Sequence, residues 1–438
     1  MKIKFLIVSL LIPTFILAKS FLISNIPLPK TYILDLNPDE CDTECLQNYI
    51  DNEKIFSFLA QAPKKLDDET QDRIRVIHIS ILNLANHNPG EGLRIAMLLP
   101  YKKIGKYASS TMNAVFAYLI TKNYPFELKS YKIASENLED LEMALENIKD
   151  DGFNYVIAPL TKNGVDNILE INPDINIYFP TINKKDVNTT TAYFSFGGID
   201  YRAQSDLLIQ EAKSPLVIFY DRSKLGRKLA LYEEEDFQKL QQQREMFAMQ
   251  NMPQEQPLEL EQKDEAKVIK FSIARRTTNL EHYLKDNSAI VGGSFFLNTP
   301  VVKSGMIMSQ LTLYDLNATN LLSTQINYDP LILSMTQYVD RKNMIIANSI
   351  TKNNDVVVET NALIGNDIVY DWINYTTTIG IDYFYSLITS EPRAYDVEME
   401  DNQMIYDIEL IKPSYSKFVK YNSIFNDLSQ IDEKNTHN

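Results

Sequence analysis

The sequence predicts an α/β protein with two lobes, and three observations support this prediction. From residue 93 onward, short apolar runs alternate with longer amphipathic segments, which is the pattern of strands and helices in a parallel sheet. The alternation breaks near residue 190 and then resumes, which indicates two such units. The composition is globular, since 45% of the 438 residues are hydrophobic and 23% are charged. This length suits two or three domains of about 150 residues each.

The charge and the scarce reactive residues exclude several functions. The formal net charge is −15, with 43 Lys and Arg against 58 Asp and Glu, so we expect no nucleic-acid partner. Four widely spaced histidines and two cysteines leave few ligands for a metal ion and few partners for a Cys/His nucleophile. No nucleotide-binding or hydrolase motif is present. We therefore predict no metal, no cofactor and no enzymatic activity.

The N-terminus reads as an export signal. A basic start at Met1–Lys4 precedes an apolar run from Phe5 to Leu17, and Ala18 offers a cleavage point. We predict a signal peptide over 1–18, cleaved near Ala18, and a periplasmic protein. An uncleaved anchor is the alternative, but the run is shorter than the ~20 residues that span a bilayer. No later run reaches that length, so we expect no stable membrane insertion after cleavage.

Residues 19–90 form a predicted N-terminal region, an extended segment followed by a helical hairpin over about 41–61 and 67–86. Cys41 and Cys45 lie at the start of the first helix. In an exported protein such a pair is most simply a disulfide. A zinc site would need two more ligands, and the spacing is wrong for a redox CxxC centre.

The first lobe is predicted over 91–190 and is completed by part of 320–390. Its segments alternate between apolar runs, read as strands, and amphipathic stretches, read as helices. The predicted strands are 93–99, 126–131, 154–160 and 175–179, and the predicted helices are 109–122, 138–149 and 165–170.

The second lobe is predicted over 191–422, with a flexible tail at 423–438. A polar insertion at 233–267 interrupts it, and we read this insertion as a solvated helix and loop. The alternative is a partner-binding arm, since the insertion carries Met246 and Phe247. The predicted strands are 192–196, 215–221, 268–273, 288–291, 310–314, 344–347 and 404–411, and the predicted helices are 201–212 and 367–388.

Open α/β sheets bind ligands beyond the carboxyl ends of their strands, and these ends supply most of the predicted site. Thr161 begins a helix after a strand, so it could hold an anion, although helix capping explains it equally well. Tyr370 and Trp372 could line a cleft between the lobes or belong to the core. The cleft candidates are Pro100, Tyr101, Lys102, Thr161, Lys162, Asn163, Asp221, Tyr370 and Trp372.

Three Asn-x-Thr sequences, at Asn188, Asn317 and Asn374, are candidate glycosylation acceptors. Asn188 and Asn317 also follow an acid two residues earlier, Asp186 and Asp315. That extended pattern resembles the acceptor of bacterial N-glycosylation systems. We therefore predict Asn188 and Asn317 as the modified sites, if they lie on the surface.

Three segments carry a resemblance to a known fold: Arg94–Pro100, Val156–Asn163 and Tyr178–Asn183. Over roughly residues 92–422 the order of elements resembles the type I periplasmic-binding-protein fold. The first two segments are similar to those of penicillin-binding-protein activators, in which this fold acts as a protein-interaction module. The resemblance implies two parallel-sheet lobes and a non-enzymatic role in the envelope, with peptidoglycan synthesis as the process.

The chain also departs from that family. Amino-acid-binding members place a Ser/Ala/Thr-rich stretch where this chain has Leu160–Asn163, and their Gly-rich first loop is Tyr101–Lys106 here. The activators carry a lipid-bearing cysteine that this chain lacks near Ala18. We therefore expect an interaction or regulatory module with an envelope protein partner. The alternative is a solute-binding protein that closes on an amino acid, sugar or peptide for transport or sensing.

Overall fold

A computed structural model of the chain describes residues 33, 41–81, 93–122, 124, 126–250 and 267–422. The predicted signal peptide at 1–18 and the predicted tail at 423–438 lie outside these described residues. The chain divides into two compact units. The first comprises residues 1–91 with 120–125, and the second comprises residues 92–119 with 126–438.

In its described part, the first unit has helices α1 (Thr43–Asp51), α2 (Ile55–Gln61) and α3 (Glu69–Ile81). The side chain of Asp42 caps α1 by accepting a 2.9 Å hydrogen bond from the backbone N–H of Cys45. A single helix was expected over 41–61. It is broken at Glu53, whose φ of 56° is left-handed and cannot continue a helix.

A small apolar core holds these helices together. Phe58 is fully buried among Leu46, Leu59 and Ala62. Cys41 and Cys45 form a disulfide with a Cα–Cα distance of 5.4 Å, which confirms the predicted pairing. Cys41 also packs against the core, so the disulfide fixes the start of α1 onto it.

The second unit contains two seven-stranded sheets. In chain order, the strands are β1 (Leu93–Leu99), β2 (Phe126–Lys132), β3 (Tyr155–Ile157), β4 (Asn176–Phe179), β5 (Phe194–Phe196), β6 (Leu216–Asp221), β7 (Val268–Ile273), β8 (Ser294–Asn298), β9 (Asn320–Ser323), β10 (Met344–Asn348), β11 (Glu398–Glu400), β12 (Gln403–Ile405), β13 (Glu409–Pro413) and β14 (Phe418–Lys420).

Each sheet has the same central order. The first sheet runs β11-β12-β5-β4-β3-β1-β2, and the second runs β14-β13-β10-β9-β8-β6-β7. The five strands at one side of each sheet are parallel, whereas β11, β13 and β14 pair in antiparallel fashion. When the five parallel strands of each lobe are numbered in chain order, their order across the sheet is 2-1-3-4-5. The order reverses beside the first of them, which is a doubly wound arrangement. The predicted two-lobed α/β fold is confirmed.

Helices cover both faces of each sheet. In chain order they are α4 (Tyr101–Ile104), α5 (Tyr107–Ile120), α6 (Leu138–Asp150), α7 (Lys162–Ile171), α8 (Tyr201–Ile209), α9 (Lys224–Gln250), α10 (Glu281–Leu284), α11 (Val301–Leu313), α12 (Leu331–Met335), α13 (Tyr338–Arg341), α14 (Asp355–Leu363) and α15 (Trp372–Thr389). On the first sheet, α6 and α7 pack on one face, and α5 and α15 on the other. On the second sheet, α8 and α9 pack on one face and α11 packs on the other.

The chain passes between the lobes three times, so lobe membership differs from the predicted 91–190 and 191–422. Strands β5, β11 and β12 belong to the first sheet, whereas the prediction placed them in the second lobe. Helix α15 also packs on the first sheet, and it lies in the part of 320–390 that was predicted to complete the first lobe. The predicted strand over 404–411 is divided, because β12 joins the first sheet and β13 the second. Apolar runs alone do not say which sheet a strand joins.

Two predicted strands of the second lobe are not strands. Residues Ser288–Ile290 form a 3-10 turn capped by the side chain of Asn287, and the strand follows at β8. Residues 310–314 end α11 rather than form a strand, and the strand follows at β9. In α11 the buried Ile307, Met308 and Leu311 have helical spacing, which a short apolar window conceals.

The predicted insertion at 233–267 begins inside a helix of the second lobe. Helix α9 continues unbroken to Gln250, and residues 251–266 lie outside the described part. Glu233 and Phe237 are fully buried and lie one helical turn apart, so this face of α9 packs on the second sheet. The start of the predicted insertion is rich in acidic residues, so the sequence alone did not indicate that this helix face is buried.

Within the described residues, none of the helices has both the length and the hydropathy needed to cross a membrane.

Candidate functional site

The strand order reverses beside β1 in the first sheet and beside β6 in the second. Ligands of open parallel sheets bind beyond the carboxyl ends of the strands at such points. Three of the predicted residues stand there, Pro100 after β1, Thr161 shortly after β3 and Asp221 at the end of β6. Their surroundings decide what this edge of each sheet can bind.

The segment after β1 faces solvent. Pro100 is buried and begins the single turn of α4, which ends at Gly105 with a φ of 56°. The side chain of Tyr101 is 43% exposed, and Lys102 is exposed with its Nζ 5.9 Å from the Tyr101 ring. This segment offers an aromatic ring and cations without a buried anchor.

The N-terminus of α7 already holds an anion from the same chain. The carboxylate of Glu136 accepts a 2.7 Å hydrogen bond from the backbone N–H of Thr161 and a second bond from the Thr161 hydroxyl. Glu136 is 9% exposed. Free N–H groups and the helix dipole make a helix N-terminus an anion site, and Glu136 occupies the N–H and hydroxyl of Thr161, the residue at which the sequence suggested a ligand anion.

The residues that follow Thr161 fit this internal arrangement. A Cβ at Gly164 would lie 2.8 Å from the Glu136 carboxyl carbon, so glycine leaves room for the carboxylate. Lys162 is exposed and forms a 2.8 Å ion pair with Asp166, and Asn163 is exposed. Sequence reasoning missed Glu136 because Ser135-Glu136-Asn137 reads as an ordinary helix cap.

Asp221 has a local structural task. Its carboxylate accepts hydrogen bonds from the backbone N–H of Ser223 at 3.1 Å and from the Ser223 hydroxyl at 2.5 Å. A Cβ at Gly226 would lie 2.3 Å from the same carboxylate oxygen. Asp221 therefore shapes the turn from β6 into α9.

Tyr370 links the segment before α15 to the second lobe. Its ring centroid lies 5.1 Å from that of Tyr328 and 6.1 Å from that of Phe418. Tyr328 follows β9, and Phe418 belongs to β14, so both rings come from the second sheet's side. Burial raises the pKa of Tyr328 to about 12. An aromatic cluster thus holds the crossing segment before α15 against the second lobe, near the carboxyl end of β9.

A second contact region surrounds Tyr107, at the start of α5. Burial raises the pKa of Tyr107, and the carboxylates of Asp371 and Asp329 raise it further. Asp371 precedes α15, whereas Asp329 follows β9, so both lobes contribute to its surroundings. The Asp371 carboxylate caps α15 by accepting from the N–H groups of Ile373 and Asn374.

Trp372 is half-buried beside the chain crossings. Its ring packs edge-on against Tyr406 at 4.7 Å. The Tyr406 hydroxyl is 2.9 Å from the Oγ1 of Thr376, which donates to the carbonyl of Gly197 at 2.8 Å. Tyr178 donates to the Thr376 carbonyl at 2.9 Å. These bonds connect the first crossing to the third through α15.

A polar pocket opens beside the same crossings. It has a volume of about 150 Å³. Lys352 forms a 3.3 Å ion pair with Asp407 across it. Its lining residues are Thr351, Lys352, Asp396, Val397, Glu398, Ile405, Tyr406 and Asp407.

The carboxyl edge of the second sheet carries a buried polar network. Gln204 donates to the Ser349 hydroxyl at 2.7 Å and accepts from the N–H of Gln325 at 2.9 Å, and the Ser349 N–H donates to Gln325 at 2.7 Å. Among the described residues, several buried atoms here lack a hydrogen-bond partner. They are Ser205 Oγ, Glu233 Oε1, Asn298 Oδ1, Thr324 Oγ1, Gln325 Nε2 and Asn327 Oδ1.

The three Asn-x-Thr sequences differ in exposure. Asn188 and Asn317 are exposed in loops, between β4 and β5 and between α11 and β9. Asn374 is 3% exposed on α15, and its amide donates to the carbonyl of Asp367 at 2.9 Å. The structure therefore leaves the first two accessible.

No protein family and no curated protein matches the chain in comparisons of sequence. Solved structures do match. The leucine binding protein LivK from Thermotoga maritima superposes with a TM-score of 0.52 and 11% identity, over 75% of this chain and 98% of that chain. A periplasmic ligand-binding protein of a branched-chain amino acid ABC transporter from Burkholderia xenovorans gives 0.54 and 10%, over 75% and 94%.

The C-domain of LpoA from Haemophilus influenzae, described as a regulator of PBP1A, matches with a TM-score of 0.49 and 9% identity, over 75% of this chain and 100% of that chain. The binding-protein likenesses show the fold, which is that of the type I periplasmic binding proteins, and the resemblance seen in the sequence is confirmed at that level. Both functions expected from the sequence are compatible with it.

The predicted site residues thus have different roles in the structure. Thr161 is bound by Glu136, Asp221 shapes a turn, and the half-buried Trp372 packs against Tyr406. Tyr370 alone of the predicted aromatics packs against the second lobe's side. Their role as ligand contacts stays a prediction.

Proposed function

We propose that this chain is a non-enzymatic, exported envelope protein that uses the type I binding-protein fold as an interaction or regulatory module. Its location is the periplasm, and its partner is another envelope protein. The sequence resemblance to penicillin-binding-protein activators suggests peptidoglycan synthesis as the process.

The observation that carries this proposal is the contact between Glu136 and Thr161. A solute clamp needs free hydrogen-bond donors at the carboxyl edge of its sheet, and the start of α7 is one place in the first lobe where backbone donors could bind an anion. Here the backbone N–H of Thr161 is occupied at 2.7 Å by a carboxylate of the chain itself. An incoming anionic ligand would have to displace a buried charge, which is costly.

The aromatic contacts of the segment that leads into α15 support the same proposal. Tyr370 packs against Tyr328 at 5.1 Å, so this crossing segment is held against the second lobe. Detaching it would return ring surface to water, at about 25 cal/mol per Å². The domain is therefore suited to presenting a fixed outer surface to a partner.

A thermal-shift experiment tests the proposal. A solute at one hundred times its dissociation constant would stabilise the folded chain by about 2.7 kcal/mol, which is several degrees in melting temperature. We expect no such shift with amino acids, sugars, nucleosides or muropeptides. A shift of several degrees with one of these classes would contradict the proposal.

The Glu136→Ala variant should show the ligand-induced stabilisation that we do not expect of the natural chain. Removing the carboxylate frees the N–H and hydroxyl of Thr161 at the start of α7, so we expect acetate or a free amino acid to stabilise this variant and not the natural chain. Glu142→Ala, an exposed acid on α6, is the control and should respond to neither. Equal responses of all three chains would show that Glu136 does not block a site.

A solute-binding protein remains the second candidate, supported by the unpartnered atoms at the edge of the second sheet. Asn298, Thr324 and Gln325 each bury an atom without a hydrogen-bond partner. Such atoms are normally satisfied by water or by a ligand. The donors and acceptors are mixed and the side chains uncharged, so a neutral polyhydroxyl solute would suit them. A melting shift that Thr324→Val abolishes would establish this function instead.

A further inference from the structure

An exposed pair of tyrosines marks a second surface, on the outer side of the second lobe. The rings of Tyr338, on α13, and Tyr415, in the turn between β13 and β14, stack with centroids 4.0 Å apart and planes 22° apart. Tyr415 is 73% exposed and Val339 is 47% exposed. Exposed aromatic rings that are held in place are unusual, because burying rings of this size normally stabilises the folded protein.

A buried arginine fixes this pair. The guanidinium of Arg341 donates to the carbonyls of Ser414 at 3.1 Å and Tyr415 at 3.0 Å, and also to the carbonyl of Thr336. Arg341 is only 3% exposed. The N–H of Ser414 donates to the carbonyl of Lys417 at 2.8 Å and closes the turn. The stacked rings are therefore preorganised, and binding there would cost little ordering entropy.

The surface is positive although the chain has a net charge of −15. Residues 410–422 contain three lysines and no acid. In the described part of the chain, no carboxylate lies within 4.0 Å of the charged nitrogens of Arg341, Lys342 or Lys417. The nearby Asp340 is 8% exposed and accepts from the N–H of Gln337 and the hydroxyl of Ser309.

We propose that Tyr338, Val339, Lys342, Tyr415 and Lys417 form a docking surface for an acidic segment of a partner protein that carries an aromatic or aliphatic side chain between its acids. The rings would contact the apolar side chain, and Lys342 and Lys417 would pair with the flanking carboxylates. This inference deepens the proposed function, on which it rests, by naming the surface and the chemistry of the partner.

The charge and the size of this surface favour a polypeptide over a lipid bilayer. Tyrosine is among the residues that contribute most to the energetics of protein interfaces, and an aromatic centre with a polar rim is the usual arrangement there. Adsorption to anionic lipid gains about 1 kcal/mol per basic residue, and two free lysines offer little against a chain of this net charge.

Peptide binding by the full chain tests the proposal. The probes are short fluorescent peptides in which Asp or Glu flank Phe or Leu, with matched peptides in which every acid is replaced by Lys. We expect the acidic peptides to bind, Tyr415→Ala to weaken their binding by about tenfold or more, and Lys417→Glu to weaken it and flatten its dependence on salt. Tyr193→Ala, at a tyrosine 46% exposed in the first lobe, is the control and should bind normally.

Four outcomes would overturn the proposal: no binding of the acidic peptides, equal binding of the lysine peptides, unchanged binding by Tyr415→Ala, or binding to anionic lipid vesicles with the same dependence on Tyr415. A dimer that Tyr415→Ala dissociates would assign the surface to a second copy of this chain and would also overturn it. A solute-induced melting shift contradicts the proposed function without altering peptide binding, so the two failures are distinguishable.

Discussion

The hydroxyl of Tyr118 donates a 2.8 Å hydrogen bond to the carboxylate of Asp382, and both side chains are fully buried. Tyr118 lies on α5 and Asp382 on α15, so this bond joins two helices on one face of the first sheet. Arg393 pairs with the same carboxylate at 3.0 Å, and the N–H of Ala394 donates to it at 2.6 Å. Asp382 therefore organises the packing of this face.

The first prediction concerns that carboxylate. Asp382→Ala removes the carboxylate that pairs with Arg393 and accepts from Tyr118, and breaking a buried pair costs about 3–5 kcal/mol. Urea unfolding should show this loss. Asp396→Ala, at an exposed acid of the following segment, should stay within about 0.5 kcal/mol of the natural chain. Equal effects of the two substitutions would contradict the role given to Asp382.

The second prediction is a dependence of stability on pH. Burial raises the pKa of Glu233 well above its ordinary value of 4.5, and Asn298 donates a 2.6 Å hydrogen bond to its carboxyl group. Because the folded state holds this proton more tightly, its contribution to stability is largest at low pH and is lost as pH rises above about 4.5.

Glu233→Gln keeps the hydrogen bond to Asn298 and cannot titrate. Its unfolding free energy, relative to that of the natural chain, should therefore increase from about pH 5 to about pH 8 in urea titrations. Glu235→Gln, at an exposed neighbour, should give a constant difference. A constant difference for Glu233→Gln as well would mean that this carboxyl group is not buried in solution.

The third prediction distinguishes the core face of α9 from a surface insertion. Phe237 is fully buried and packs in the apolar cluster that includes Leu208 and Ile218, so Phe237→Ala should cost about 3–5 kcal/mol. Met246, on the same helix, is 56% exposed, and Met246→Ala should be nearly neutral. Removing residues 233–267 as a block should prevent folding. Normal melting of Phe237→Ala would place this helix outside the core.

The fourth prediction concerns modification in a cell that has bacterial N-glycosylation. Asn188 and Asn317 are exposed in loops, whereas Asn374 is 3% exposed within a helix. Intact-mass and peptide spectra should show glycan on the first two and none on Asn374. Asn188→Gln and Asn317→Gln should each remove one glycan. Modified Asn374, or an unmodified chain from such a cell, would refute the assignment.

The predictable part of the fold is the part with strong local signals. Runs of four or five consecutive apolar residues identify β1, β6 and β10, because a strand buried on both faces is apolar along most of its length. Segments 288–291 and 310–314 are also rich in apolar residues without being strands. Their conformation depends on the turn and helix that surround them, which a short window does not include.

The candidate site was less predictable. Thr161 was identifiable because it follows a strand and opens a helix, but its occupant, Glu136, comes from a different loop. Nothing local distinguishes a carboxylate that caps its own helix from one that reaches another. The surface at Tyr338 and Tyr415 likewise depends on a contact between residues far apart in the chain.

The three crossings between the lobes also determine the order in which the protein can be completed. Strands β1–β5 leave the ribosome first, yet α15, which covers one face of their sheet, is made only after all the parallel strands of the second sheet. Helix α5 covers part of that face early, but the residues under α15 stay exposed to other chains until α15 is made, unless a chaperone shields them. A nascent chain that stops before residue 372 would therefore be prone to aggregate, and folding of the first lobe is coupled to synthesis of the second.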